Sequence, residues 1–417
     1  METTHIYSLS DPGLIDDPYG GFGVIREEAP VARGDLGGRP VWIVTRHDDV
    51  STVLGDRRFV NNSLSLPGST VDARAETLVG MGVSRDRVPY LAGNLVHTDP
   101  PDHTRLRKLV TRAFSARRVK ELRPRVRVLT DELLTTLPGH AGPDGTVDFI
   151  EHFAYPLPIT VICELLGVPA SDRPRWRSWS EDYTSADIGR MDTMLAAMST
   201  YLRELAEQRR AEPTDDLFTA LLQAHDEDNG RLSDTELITM VLTLMIAGHE
   251  TTAHLLGNGL VALLTHPDQL ALLRGSPELM PGAVQELLRW CSPIVVGMLR
   301  YAAEDVTVGD TLIRQGECVQ VVLGSANHDP RRYPDPDRLD ITRPAGAAGA
   351  HHLAYSHGPH YCLGASLANQ EAEVAFTALL GTYPHLALAV PREQLDWKPL
   401  PLIRQLAHLP VTLGTPS

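Results

Sequence analysis

The stretch YSHGPHYCLG, Tyr355–Gly364, sets a cysteine between two glycines and directly ahead of an apolar, helix-forming run that continues to about Leu380. A helix N-terminus carries partial positive charge and free N–H groups, so Cys362 stands where a thiolate is favoured. Gly358 and Gly364 have no Cβ, which lets the backbone approach a flat ligand closely. An iron held by such a thiolate is electron-rich enough to favour O–O cleavage. The loop alone leaves other readings open. A single cysteine more often packs in a core. His351, His352, His357 and His360 crowd the same tract, and Cys/His mixtures bind zinc, although no second Cys/His group with closing spacing appears elsewhere in the chain.

Upstream, Ser233 and Glu236 form a capping box that opens a mostly apolar helical pattern running to about Thr265. Such a helix is about 48 Å long at 1.5 Å per residue and, being apolar on most sides, belongs inside the protein. Its middle nevertheless reads Ala247-Gly248-His249-Glu250-Thr251-Thr252. An acid beside an alcohol is costly there unless it is solvated or used. Ala247 and Gly248 leave space for a ligand against the backbone, and Thr251 can bond the carbonyl one turn back, opening the helix to water. The bland alternative is a polar kink in a core helix.

Two further pieces flank this helix. Glu286 and Arg289 are three apart, so they share a helical face and can form an ion pair, a common feature worth little at a surface. Asp99-Pro-Pro-Asp-His103-Thr-Arg105-Leu-Arg107 opens another helix, on which His103 and Arg107 are four apart and able to hold one carboxylate jointly. A solvated basic helix is the competing reading, since Lys108 and Arg112 follow.

The 417 residues carry a net charge of −15, which argues against a nucleic-acid binder because phosphates call for a basic face. With 42% hydrophobic residues a large core is possible. The four cysteines show no paired spacing, as expected in a reducing cytoplasm. The start lacks the basic and apolar regions of a signal peptide, and no stretch reaches the ~20 apolar residues of a membrane helix. A cytoplasmic protein with no membrane or nucleic-acid partner is the expectation.

Helical patterns dominate over 104–114, 116–137, 158–166, 191–211 and 217–225. Period-two patterns mark a strand at Arg39–Thr45 and a hairpin of Val306–Val308 and Thr311–Leu323 about Gly309-Asp310. From Asn62 to Asn94 the reading is a long irregular connection. The fold class is mainly α with a small β subdomain drawn from about 39–60, 295–325 and 385–415, in a single domain spanning 1–417.

In this order and spacing the four pieces resemble the cytochrome P450 family, in its soluble bacterial class, over essentially the whole chain. The cysteine loop follows the pattern F-x-x-G-x-H-x-C-x-G with Tyr355 in place of Phe; Ala247–Thr251 follows A-G-x-[DE]-T, and Glu286 with Arg289 follows E-x-x-R. Ala326-Asn-His-Asp-Pro330 looks like the segment between the strands and the haem loop, with His328 where Arg is frequent. Asn369 likewise replaces a frequent Arg.

The resemblance implies a triangular-prism fold with a long central helix over a haem b. Cys362 would be the iron ligand, and His103, Arg107, Arg300 and His360 would hold the propionates. Glu250 and Thr251 would deliver protons during dioxygen activation, and Glu286 and Arg289 would be structural. The ring of Tyr355 would shield the sulfur, with its hydroxyl needing a partner. The activity implied is that of a haem-thiolate monooxygenase that hydroxylates or epoxidises a small molecule using O2. Electrons would come from a separate acidic ferredoxin and its reductase, steered by Arg105, Arg107, Lys108, Arg112, Arg117 and Arg118. A peroxide-driven or non-monooxygenating haem-thiolate enzyme, and a non-catalytic haem-binding protein, are the competing functions; the acid–alcohol pair favours the first reading. Specificity would reside in Asn62–Asn94, Ala170–Met198, Ile246 before Ala247, Val295, Val296, Gly297 and Ile403. The last of these are mostly apolar, which points to a lipophilic secondary-metabolite intermediate such as a polyketide, terpenoid or peptide product. The protein is expected to act as a monomer.

Overall fold

In the computed structural model, which describes residues 5–114, 116–185, 187–226, 232–344 and 351–415, the capping box forms in full. The Ser233 N–H donates to Glu236 Oε2 at 2.6 Å, and the Glu236 N–H donates to Ser233 Oγ at 3.1 Å. With both orphan donors satisfied, the helix starts at once and runs unbroken over Asp234–Thr265, 32 residues, including the polar stretch 247–252. No helix among the described residues is long and apolar enough to cross a membrane.

The chain divides into two compact units, one built from 1–59, 122–157 and 251–417 and the other from 60–121 and 158–250. The first holds the β structure. Its main sheet has the spatial order Ile6–Ser8, Val31–Leu36, Arg39–Val44, Cys318–Val321, Arg300–Ala302 and Phe59–Val60. The expected strand at 39–45 is central here, parallel to Cys318–Val321 through Trp42↔Val319 and Val44↔Val321, and its buried residues Val41–Val44 are consistent with that position. The hairpin differs in extent from the sequence reading. Val306–Val308 pairs with Thr311–Ile313 alone, turning at Gly309, whose φ of +54° suits a tight two-residue turn. The chain then turns at 314–317 and starts a separate strand. A three-stranded sheet joins Ala387–Leu388, Pro410–Thr412 and Thr146–Asp148, the last of which the sequence reading did not include.

Two helices frame this unit's core. The cysteine helix, Ala365–Thr382, packs beside Met280–Trp290, which carries the E-x-x-R pair. It also meets the C-terminal half of the long helix at Gly259, where a Cβ would stand 2.8 Å from the Phe376 ring. Close approach therefore requires the glycine. Residues 252–263 of the long helix are all buried.

The second unit is helical, with Asp102–Ala113, Pro156–Leu165 at its edge, Arg173–Thr184, Ile188–Ala211 and Leu217–Asp226. The segment 62–94 corrects the expectation of an irregular connection: it contains the helices Ala73–Gly80 and Val88–Ala92. Asp72 caps the first by accepting from the N–H groups of Arg74 and Ala75. Both helices are too short for periodicity to show, which is why glycine and proline dominated the reading. Helix Arg173–Thr184 was also missed; its charged residues hide a narrow buried stripe of Trp176, Trp179 and Ser180.

Candidate active site

In the first unit, the cysteine loop is fixed by its own backbone. The Cys362 N–H donates to the Tyr355 carbonyl at 2.9 Å, closing the loop on itself. Gly358 adopts φ +71°, and a Cβ there would lie 2.8 Å from the carbonyl oxygen of Leu54 and 3.0 Å from Gly55 Cα. No other residue fits that position. Cys362 is half-buried three residues ahead of Ala365, the first residue of an 18-residue helix whose N-cap, Gly364, offers no side-chain cap. Its first N–H groups are left for something else to satisfy.

The other cysteines have a different character. Burial pushes the thiols of Cys163 and Cys291 up to about 12 and raises Cys318 as well, so all three stay neutral at physiological pH. No disulfide joins any of the four. Among the described residues no three His, Cys, Asp or Glu side chains gather as a group able to hold a metal ion by themselves.

Behind the loop, polar side chains are tightly connected. Glu286 and Arg289, for which the family resemblance implies a structural role, are both about 2% exposed and pair twice at 2.8 Å. Arg289 also donates to the carbonyls of Asn327, Pro336 and Arg338, while Glu286 accepts from the Asp340 N–H and from Arg343. The pair thus ties the irregular segment 327–343 to its helix. His328, where Arg is frequent, spans the Trp290 carbonyl at 3.0 Å and Asp337 at 2.8 Å. The Tyr355 hydroxyl meets Asn369 Oδ1 at 2.7 Å. Burial and then the nearby Cys362 hold that hydroxyl well above the usual phenol range, so it keeps its proton. Gln285 and His352 adjoin this contact, and the sequence reading assigned neither to it. The available signal was the paired departure at 355 and 369, a new donor and a new acceptor.

Arg300 opens its strand and is buried, and His360 ends the turn Gly358–His360. A guanidinium so placed is stable only opposite negative charge or several acceptors. Val295 and Val296 lie in a core cluster with Phe22, Ile25, Val41 and Ile43, and the Gly297 N–H bonds the Val321 carbonyl at 2.8 Å. Beside them Met298 is 41% exposed, a residue the sequence reading did not single out. Ile403 is half-buried and bridges to Ile294.

In the second unit, the long helix is not buried all round. Thr243, Leu244, Ala247 and Gly248 are accessible while Met245, His249 and Glu250 are buried, and accessibility resumes at Thr251, the first residue beyond this unit. Positions 244, 247, 248 and 251 fall on one helical lane. Ala247 is the most exposed of them, whereas Gly248 stands against Ile162, whose side chain a Cβ there would meet at 3.1 Å. His249 points elsewhere: its Nδ1 bonds the Met245 carbonyl at 2.7 Å, and its Nε2 meets the hydroxyl of Ser180 and lies 3.3 Å from Glu250 Oε1.

On Asp102–Ala113, His103 is buried one turn before Arg107. Desolvation, and then the charge of Arg107, hold the His103 imidazole below its usual range. The two positions share one face of the helix.

Three of the six basic residues expected to form a surface around this helix are paired with acids. Arg105 pairs with Glu236 and Asp102, Arg117 with Glu121, and Arg118 with Asp215. Two of those partners lie far away in sequence, which is why charge counting missed them. Lys108 is exposed, and the Arg112 side chain lies outside the described residues.

In the first unit, a half-buried cysteine at a helix N-terminus, a loop that only glycine can form and a buried guanidinium suit a flat, anionic, thiolate-ligated group. The cytochrome P450 family model matches residues 178–275 and 277–400. The chain belongs to the cytochrome P450 family and is a monooxygenase of its bacterial class, for which the family implies a haem-thiolate cofactor. Cytochrome P450 107B1 of Saccharopolyspora erythraea is 45% identical over 97% of both chains. Vitamin D(3) 25-hydroxylase of Pseudonocardia autotrophica is 43% identical over 99% of this chain and 98% of its own. The solved structure of the tirandamycin C-bound P450 monooxygenase TamI superposes with a TM-score of 0.86 at 41% identity, covering 98% of this chain and all of that one.

Proposed function

We propose that this monooxygenase holds haem b through Cys362 Sγ and oxidises a lipophilic secondary-metabolite intermediate, by hydroxylation or epoxidation, with electrons from a separate ferredoxin and its reductase. The carrying observation is the half-buried Cys362 on a glycine-built loop at a helix N-terminus, in a chain whose other cysteines are held as neutral thiols. When bound, the haem supplies dioxygen activation and the oxidising power for an unactivated C–H bond or alkene.

The chain's own residues would then divide the remaining work. The helix N-terminus would stabilise the thiolate. His103 with Arg107, and Arg300 with His360, would each answer one propionate; charge-assisted bonds of that kind are about twice as strong as neutral ones. Gly364 would keep a side chain away from the cofactor, Gly358 would let the loop pack against Leu54 and Gly55, and Ala247 would leave room for substrate along the helix lane, with Gly248 packed on Ile162. Glu250, buried beside His249, would pass protons to the Thr251 hydroxyl, which faces the same lane. General acid–base steps of this type contribute about 10²–10⁴-fold. This pair favours dioxygen use over peroxide-driven turnover or mere haem binding.

A lipophilic substrate is supported by the apolar Ile246 and the small residues beside it, and by the compounds in the names of two relatives, the vitamin D(3) hydroxylated by one and the tirandamycin C bound to the other. The test is a screen of lipophilic natural products with ferredoxin, reductase and NADPH. A substrate should drive NADPH consumption matched by oxygenated product. NADPH consumption yielding only hydrogen peroxide for every binder, or turnover with peroxide alone, would contradict the reading.

A further inference from the structure

Tyr355 and Asn369, the two departures that adjoin the cysteine, are in contact with each other, and their hydrogen bonds have a determinable direction. The backbone N–H of Ala354 lies 3.2 Å from His352 Nδ1 and can only donate, so Nδ1 is an acceptor. Desolvation pushes the His352 imidazole down to about 4, so it is neutral and its one proton sits on Nε2. That nitrogen donates to Gln285 Oε1 at 3.2 Å. The other end of the same amide, Gln285 Nε2, donates to Asn369 Oδ1 at 3.1 Å. The Asn369 amide is thereby oriented with its oxygen toward Tyr355, whose hydroxyl donates to it at 2.7 Å. The Tyr355 ring is 9% exposed and set edge-on to Tyr361.

We propose that Asn369, oriented by Gln285 and His352, is a positioning residue that draws the Tyr355 hydroxyl proton away from the Cys362 sulfur, so that tyrosine at 355 is tolerated there without a hydrogen bond to the thiolate. This rests on the reading of Cys362 as the ligand. The chemistry makes the two departures interdependent. An arginine at 369 has donors only, so it would leave a buried hydroxyl without its acceptor, and the electron-rich sulfur, whose charge already acts on that hydroxyl, is an acceptor it can turn to. Phenylalanine with arginine is self-consistent, and so is tyrosine with asparagine. The mixed combinations are not. A hydrogen bond to the sulfur lowers its electron donation and moves the iron potential upward.

The experiment is a double-mutant cycle read by spectroelectrochemical reduction potential and by melting temperature, using Asn369→Leu, Tyr355→Phe and the pair. Asn369→Leu should favour the reduced form about tenfold, an upward shift of about 59 mV for one electron, and lower the melting temperature. Tyr355→Phe should leave the potential within error of the parent, and in its background Asn369→Leu should no longer shift it. Equal shifts from Asn369→Leu in both backgrounds, or none in either, overturn the proposal. If Asn369→Leu fails to fold, Gln285→Met serves instead: it releases the Asn369 amide to rotate, and its smaller upward shift should likewise vanish with Tyr355→Phe. Failure of the ligand reading is separable, because the melting-temperature coupling between 355 and 369 persists whatever Cys362 binds, while the ferrous carbonyl spectrum of the parent reports the ligand.

Discussion

The cysteine region and the middle of the long helix are both polar interruptions in apolar surroundings, yet they are built on opposite plans. Around Tyr355–Thr382 the side chains of His352, Gln285, Asn369, Tyr355, Glu286 and Arg289 interlock, and the Glu286–Arg289 pair alone anchors backbone from Asn327 to Asp340. Over 243–251 of the long helix Met245, His249 and Glu250 are buried, but Leu244, Ala247, Gly248 and Thr251 form a lane of partly open residues. One region spends its residues on rigidity, as a group that must hold an electron-rich ligand at fixed geometry requires. The other withholds residues, leaving space and a single acid–alcohol pair. The difference implies that substitutions in the first region should be read out as stability and redox character, and in the second as binding and coupling.

The contrast is sharpest at Arg289. Arg289→Ala leaves the buried Glu286 carboxylate only the longer contact with Arg343 and the Asp340 N–H, and breaking a buried pair from one side costs up to about 3–5 kcal/mol; chemical denaturation should show it as a large loss of midpoint. Arg117→Ala removes a pair of the same chemistry on the surface and should leave the denaturation curve unmoved. In the second region, Thr251→Ala and Glu250→Gln should lower product formed per NADPH by about 10²-fold, with melting and substrate affinity close to the parent. Unchanged coupling would remove the proposed role of the pair. Ala247→Phe should fill the open lane and weaken substrate binding by about tenfold, or 1.4 kcal/mol, in a spectral titration, again without loss of stability.

The smallest effect is the pH dependence of the first region. His352 has its pKa pushed down to about 4, so the unfolded chain binds that proton more readily and stability is lost as pH falls from 6.5 toward 4. Glu371, buried on the cysteine helix, has its carboxyl held well above the usual 4.5, so the folded chain keeps the proton and stability falls as pH rises above that value. Glu371→Gln should therefore raise the melting temperature at about pH 8 and change it little at about pH 4. Equal gains at both would show that ionisation is not the cause.

Local chemistry was legible in the sequence, and long-range partnership was not. Ser233 and Glu236 announced the long helix because a capping box lies within four residues. Cys362 announced itself because a glycine loop and a helix N-terminus are adjacent in the chain. Glu286 and Arg289 gave the pairing but not its burial, since the carbonyls that enclose Arg289 come from 38 to 49 positions away. Arg105 looked like a free surface cation because Glu236 lies 131 residues downstream. Helix Arg173–Thr184 was hidden because only a narrow stripe of it is buried among many charges. The oddity of Tyr355 was visible, but its resolution required knowing that Asn369 sits against it.

The central claim is that the Cys362 thiolate ligates the iron. The carbon monoxide difference spectrum of the reduced, haem-loaded protein tests it most directly, because the thiolate's electron donation displaces the Soret band of the ferrous carbonyl to long wavelength. The account predicts that long-wavelength band in the parent protein and its loss in Cys362→Ser. A short-wavelength band in the freshly prepared parent, or a long-wavelength band that survives in Cys362→Ser, would contradict it.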